Sequence, residues 1–273
     1  RRSRGGSVNA TTLTRQESMG KIEGVEFFVF GTGDPVTVFA HGLAGSVSET
    51  KPLAMPLKGT RVLFNFRGHG GSDALADGWD YDLLADDVRV VADHVGATGA
   101  CGLSLGAGAI LRLLTQTPHR FERLAFVMPA ALDQPWTDGA IVRLRELGAA
   151  IEKGDRERLT EVLMSEVPEH LRELRVTRIL LARRAAELAA MTPPAPARVD
   201  VPVPNLDALA AAAAPSLVLA QRGDRLHNVE VATRLSDALP HSVLHTLEPG
   251  GVFWTQSDIT RDLLTEQFNA NRV

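Results

Sequence analysis

Short apolar runs alternate with longer segments of helical periodicity along most of this chain. The apolar runs have the length and residue content of buried strands, and turn-forming residues follow them. They predict strands at 35–40, 61–66, 99–103, 124–128, 216–221 and 242–247. Helical patterns fall at 81–94, 105–114 and 259–269. Strands that alternate with helices predict an α/β protein with a mainly parallel central sheet and right-handed crossovers.

The pattern changes to charge-rich helical sequence between residues 135 and 204 and ends in a proline-rich stretch at 193–204. This change predicts a helical cap, 135–204, inserted into a core of residues 19–134 and 205–273. We expect the charged cap positions to form a solvated helix face, with one or two arginines turned toward the pocket. These positions are Arg143, Arg145, Glu146, Arg183, Arg184 and Glu187. The polar segment 1–18 is predicted to be a disordered extension.

The segment 101–106, CGLSLG, places a serine between two glycines at the junction of a strand and a helix. Gly102 and Gly106 lack the Cβ atoms that so tight a turn would exclude. Ser104 is therefore the candidate nucleophile at the apex of a nucleophile elbow.

Two further motifs precede the elbow, each directly after an apolar run. His41-Gly42 follows the first run and RGHGGSD, 67–73, follows the second. With these three motifs in this order, the chain resembles the α/β-hydrolase family over residues 24–268. The resemblance implies an α/β-hydrolase fold, in which helices flank the sheet and the cap covers the carboxyl ends of the strands.

The resemblance also assigns the groups around the serine. The oxyanion donors would be the backbone N–H groups of Leu43 and Leu105. The acid would be Asp224, on the loop after the strand 216–221, with Asp133 after the preceding strand as the alternative.

The general base is where the chain departs from the family pattern. Gly251 stands where the family has a histidine after the last strand, and glycine cannot accept a proton. His227, three residues after Asp224, is the histidine best placed to replace it, whereas His41 is expected to support the oxyanion turn. We expect Leu43, Leu105, Val252 and Trp254 to line a roomy apolar pocket, with His41 and Gly251 also at the site.

These observations leave several functions open. One is hydrolysis of an apolar ester, thioester or lactone through Ser104, with an impaired or rerouted triad. Another is a non-hydrolytic epimerase, isomerase or lyase of natural-product biosynthesis that uses the oxyanion pocket. A third is a catalytically silent binding protein.

Composition narrows the partners. The 273 residues carry a net charge of −4, with 44% hydrophobic and 23% charged residues, as in ordinary globular proteins. No basic face for nucleic acid, membrane span, metal-ligand spacing or nucleotide motif is evident, and the single Cys101 excludes an intramolecular disulfide. We expect a cytoplasmic protein without cofactor that binds a small hydrophobic or peptide-like substrate. The sequence does not decide its oligomeric state.

Overall fold

An eight-stranded sheet forms the centre of the computed structural model, which describes residues 18–75, 78–135, 138–191 and 200–269. The strand order is β1-β2-β4-β3-β5-β6-β7-β8. The first three strands in this order, β1, β2 and β4, pair antiparallel, and all pairs from β4 to β8 are parallel. The strands are Ser18–Ile22, Val25–Phe30, Val36–Ala40, Thr60–Asn65, Gly99–Leu103, Arg123–Val127, Ser216–Gln221 and Ser242–Leu247. The predicted mainly parallel sheet is confirmed.

The described residues form α-helices on both faces of the sheet and in the segment between β6 and β7. In chain order, α1 to α9 are Val47–Ala54, Tyr81–Val95, Leu105–Gln116, Asp138–Glu152, Arg156–Met164, Glu169–Arg172, Arg175–Ala189, Val229–Ala238 and Ser257–Asn269. A 3₁₀ turn at Leu206–Ala211 precedes β7, and a π-helical turn at Gly251–Thr255 follows β8.

Two apolar layers hold the sheet between its helices. Helices α2, α3 and α8 cover one face, where Phe64, Ile110 and Leu235 are fully buried. Helices α1 and α9 cover the other face, where Phe39 and Phe268 are buried. The parallel strands end at one common edge, and the side chains of the central strands β5 and β7 are buried on both faces, whereas those of the edge strand β8 are partly exposed.

The RGHGGSD segment is held to the core by a buried ion pair. Arg67 Nε donates to Asp87 Oδ1 at 2.5 Å, and the Arg67 backbone N–H donates to Asp87 Oδ2 at 2.8 Å. The Asp87 side chain is fully buried, and its burial raises the pKa of the carboxyl group to about 6. This pair fixes the loop after β4 to helix α2.

Helices α4 to α7 lie between β6 and β7, within the segment where the sequence predicted a cap. They share a small apolar core, which includes Ile151, Leu159 and Leu188 and also takes in Ala44 of the loop after β3. The extension predicted at 1–18 lies outside the described residues, apart from Ser18, which begins β1. In the described ranges, no helix has the length and apolar character needed to cross a membrane.

Candidate active site

Ser104 occupies a sharp turn between β5 and α3, and its backbone has φ 52° and ψ −110°. Positive φ is unfavourable for a residue with a side chain, so the surrounding structure must hold this conformation. At Gly102, an added Cβ would lie 2.5 Å from the Ala107 nitrogen. Glycine at 102 therefore allows the helix to start directly against the strand, with Ser104 at the apex.

His227 and Asp224 lie on the loop that joins β7 to α8, and both are brought to Ser104. His227 Nε2 is 2.9 Å from Ser104 Oγ, and His227 Nδ1 is 3.0 Å from Asp224 Oδ1. A hydroxyl, an imidazole and a carboxylate thus form one hydrogen-bonded series. Proton transfer from a serine hydroxyl to a histidine uses this order of groups.

The Asp224 carboxylate also shapes the loop that carries His227. Its Oδ1 accepts from the backbone N–H groups of Leu226, at 2.8 Å, and of His227, at 2.9 Å. Burial alone would raise the pKa of Asp224, but the hydrogen bond and charge of His227, together with these backbone donors, hold the pKa below its ordinary value. The carboxylate is therefore stabilised in its charged form, which orients the imidazole.

The loop that follows β3 lies beside Ser104. A Cβ added at Gly42 would be 3.5 Å from Ser104 Cβ. No described residue accepts a hydrogen bond from the backbone N–H of Leu43 or Leu105. Leu105 is also the first residue of α3, where the helix leaves its N–H groups without internal partners. Both groups are therefore available to an oxyanion.

His41 is buried, and among the described residues its ring nitrogens bond the loop after β3 and the residue after β4 rather than Ser104. Its Nε2 accepts the Phe66 N–H at 3.2 Å, so Nδ1 carries the proton and donates to the Gly42 carbonyl at 2.7 Å. Burial, followed by the nearby charges of His69 and Arg184, lowers the pKa of His41 well below its ordinary value. The neutral ring uses both nitrogens to support the turn.

A narrow cavity of about 20 Å³ lies next to Ser104, and its wall is almost entirely apolar. The lining residues are Leu43, Ser104, Leu105, Ala130, Leu144, Leu226 and His227. Leu144 comes from α4, so this helix forms part of the wall of the cavity, which has space for about one water molecule. The expected roomy pocket is therefore not formed in this conformation.

Gly251, Val252 and Trp254, which the sequence placed at the pocket, are not among the residues that line this cavity. Gly251 and Val252 are buried in the π-helical turn, and Val252 packs against the core below the sheet. Its backbone N–H donates to Gln221 Oε1 at 3.1 Å, which ties this turn to the end of β7. No sequence signal indicated that a turn would replace an open loop here.

Asp133, the alternative acid, pairs with Arg234 of α8 at 2.5 Å. Both residues line a second cavity of about 200 Å³, and Ala130 and Leu226 line both cavities. The sequence analysis did not identify Ala130, Leu144 or Leu226, because apolar residues give no local sign of which cavity they line.

Known proteins resemble this chain in sequence and in fold. The sequence model of a protein family, described as "Alpha/beta hydrolase family", matches residues 37–261. The curated protein "Bifunctional esterase/perhydrolase DCH" of Acinetobacter calcoaceticus is 35% identical over 105 residues, 36% of this chain and 38% of that protein. "AB hydrolase superfamily protein YisY" of Bacillus subtilis (strain 168) is 34% identical over 101 residues, 34% of this chain and 37% of that protein. The chain therefore matches less than two fifths of the length of each curated relative.

Solved structures share the fold over nearly the whole chain. The carboxylesterase CesB from Bacillus subtilis superimposes with a TM-score of 0.73, covers 94% of this chain and 92% of its own, and is 16% identical. The naproxen esterase from Bacillus subtilis gives a TM-score of 0.70 over 91% of this chain and 90% of its own, also at 16% identity. At these identities the likeness establishes the α/β-hydrolase fold, which confirms the fold predicted from the three motifs.

Proposed function

Because this chain belongs to the alpha/beta hydrolase family, we propose that it is a carboxylic ester hydrolase with Ser104, His227 and Asp224 as its catalytic triad. The contact of 2.9 Å between His227 Nε2 and Ser104 Oγ carries this proposal. The esterases named among its relatives and structural neighbours support the same reaction class.

In the first half of the reaction, Ser104 Oγ attacks the ester carbonyl carbon while its proton passes to His227 Nε2. Asp224 accepts the hydrogen bond from Nδ1 and stabilises the resulting imidazolium. The carbonyl electron pair moves to oxygen, where the N–H groups of Leu43 and Leu105 donate to the negative charge. His227 then protonates the departing alcohol, and the acyl group stays on Ser104.

In the second half, a water molecule attacks the acyl carbon and gives its proton to His227 Nε2. The tetrahedral intermediate collapses, the proton returns to Ser104 Oγ, and the carboxylic acid is released. The same base, acid and donors serve both halves, because the two tetrahedral intermediates have nearly the same geometry.

The lining of the cavity favours a short apolar group beside Ser104. Leu43, Leu144 and Leu226 offer no polar partner in their side chains, so an aliphatic acyl group fits better than a charged one. A bulky macrocycle would need displacement of Leu144. We therefore assign simple aliphatic esters as the substrate class.

A non-hydrolytic reaction was an alternative because the expected base after β8 is missing. The position of His227 favours hydrolysis, since a histidine next to Ser104 removes the reason for needing a base on the substrate. A silent binding protein likewise has no need for the hydrogen-bonded series from Ser104 to Asp224.

The test combines labelling with turnover. An alkyl fluorophosphonate should phosphonylate Ser104 with release of fluoride, and the protein should hydrolyse p-nitrophenyl butyrate. Ser104→Ala should abolish both, whereas Ser257→Ala, at the start of α9, should change neither. A wild-type protein without labelling or turnover, or turnover that persists in Ser104→Ala, would overturn the proposal.

A further inference from the structure

The backbone of Leu43 is held between two side-chain contacts. On one side, Glu49 Oε2 of α1 accepts the Gly42 N–H at 2.9 Å. On the other, Arg184 Nη2 of α7 donates to the Ala44 carbonyl at 2.8 Å. The first contact is local, but the second joins the cap to the loop over 140 positions of sequence.

Arg184 is much less exposed than its neighbour Arg183 on α7. Its side chain is 23% exposed, whereas that of the adjacent Arg183 is 77% exposed and pairs only with Glu187 among the described residues. Both arginines lie near Glu187, so they share a charged neighbour. Only Arg184 reaches the loop that follows β3.

Two features of Ala44 show why this contact matters. Its φ of 55° lies in the left-handed region, which disfavours residues with a Cβ. It is also 2% exposed and packs in the small core of the cap, against residues that include Ile151 and Leu188. One residue of the loop beside Ser104 is thus part of the cap, and a charged donor fixes its carbonyl.

We propose that Arg184 is a positioning residue that orients the Leu43 N–H toward the oxyanion by anchoring Ala44 to the cap. The inference rests on the proposed function, because it assigns Leu43 as an oxyanion donor. Arg184 thereby links α7 to the geometry of the oxyanion hole and adds to the hydrogen bonds from His41 Nδ1 and the Gly45 N–H, which hold the Gly42 carbonyl of the same loop.

Arg184→Met should lower kcat for p-nitrophenyl butyrate by about tenfold or more, while KM changes less than twofold. The loss falls on kcat because the oxyanion donor acts mainly in the transition state. Fluorophosphonate labelling should slow by a similar factor. Arg184→Lys should restore part of the rate, since its ammonium can donate to the same carbonyl. Arg183→Met is the matched control and should stay within twofold of wild type.

Amide hydrogen exchange tests the contact without relying on activity. Exchange in a peptide covering 41–46 should accelerate in Arg184→Met and remain unchanged in Arg183→Met, with thermal unfolding compared for both. Faster exchange with unchanged kcat would overturn the positioning role, and unchanged exchange would overturn the anchor itself. If the wild-type protein has no esterase activity, the proposed function fails, and the exchange result still reports whether Arg184 holds the loop.

Discussion

His227 Nε2 and Ser104 Oγ lie 2.9 Å apart although 123 positions separate the two residues. The contact joins the loop after β7 to the turn after β5, which leave the same edge of the sheet with β6 between them. The partner of His227 on its other side, Asp224, is only three positions away. A local pair of acid and imidazole is thus presented to a distant serine.

Replacement of His227 tests its role as the base. His227→Gln should lower kcat for p-nitrophenyl butyrate by at least about a hundredfold, because glutamine has no titratable nitrogen to accept the Ser104 proton. Steady-state rates of the purified variant measure this. His241→Gln, at an exposed histidine before β8, should retain wild-type rates. Equal losses in both variants would remove the special role of His227.

Asp224→Asn should lower kcat on the order of ten-thousandfold. The amide oxygen can still accept from the Leu226 and His227 N–H groups, but the neutral group no longer stabilises a positively charged imidazole. Asp133→Asn, which alters the alternative acid and its pairing with Arg234, should have a much smaller effect on kcat. A larger loss in Asp133→Asn would exchange the two assignments.

Asp224→Asn should also change the pH dependence of the protein's stability. The folded-state pKa of Asp224 is lowered, so the carboxylate stabilises the fold above its unfolded value of about 3.9, and this contribution disappears as pH falls through the folded value. The free energy of unfolding, measured with urea at pH 7 and at pH 3, should therefore differ less between wild type and Asp224→Asn at pH 3. A constant difference would contradict the lowered pKa.

Gly251→His should destabilise the protein and should not raise its esterase activity. A Cβ at position 251 would lie 2.6 Å from Leu247 Cβ and 2.9 Å from Gln256 Oε1, and such overpacking costs about 1 to 3 kcal/mol. Gly251→Ala introduces the same Cβ without an imidazole and should lose similar stability in urea unfolding. A stable Gly251→His variant with faster hydrolysis would show that the turn after β8 can supply the base.

Asp87 should make the protein less stable as pH rises from 5 to 7. Its folded-state pKa of about 6 exceeds the unfolded value, so the folded state binds the proton more tightly, and this contribution is lost as pH rises through 6. The free energy of unfolding should fall by about 1 kcal/mol from this group. Asp87→Asn should lack this decrease in chemical denaturation at the two pH values. The same decrease in both proteins would assign it to another group.

The sheet and the nucleophile turn were accessible from sequence because their signals are local. Apolar runs of strand length mark β3 to β8 to within two residues at each end, and glycines on both sides of Ser104 allow the sharp turn. Neither β1 nor β2 was among the predicted strands, and β1, Ser18–Ile22, is partly exposed and lacks a continuous apolar run. Exposed edge strands leave a weaker pattern than buried ones.

The surroundings of Ser104 were harder to predict because they depend on how loops fold against each other. The spacing of Asp224 and His227 placed both on one loop and made His227 the best-placed replacement base, but its distance from Ser104 depends on the course of the whole loop after β7. Helical periodicity could place Arg183 and Arg184 on α7, yet it could not show that only Arg184 meets a carbonyl outside the cap. Their catalytic and positioning roles stay predictions.

Because Asp224 and His227 lie on one loop, the elements that follow this loop can stabilise the fold without supplying a reacting side chain. In the proposed triad, no reacting side chain comes from β8, the π-helical turn or α9. These elements instead cover one edge and part of one face of the sheet, as Leu264 and Phe268 show by their burial. Helix α9, residues 257–269, is therefore a region where heat tolerance could be engineered without touching the reacting groups, whereas the π-helical turn contacts Gln221, which also donates to Asp224.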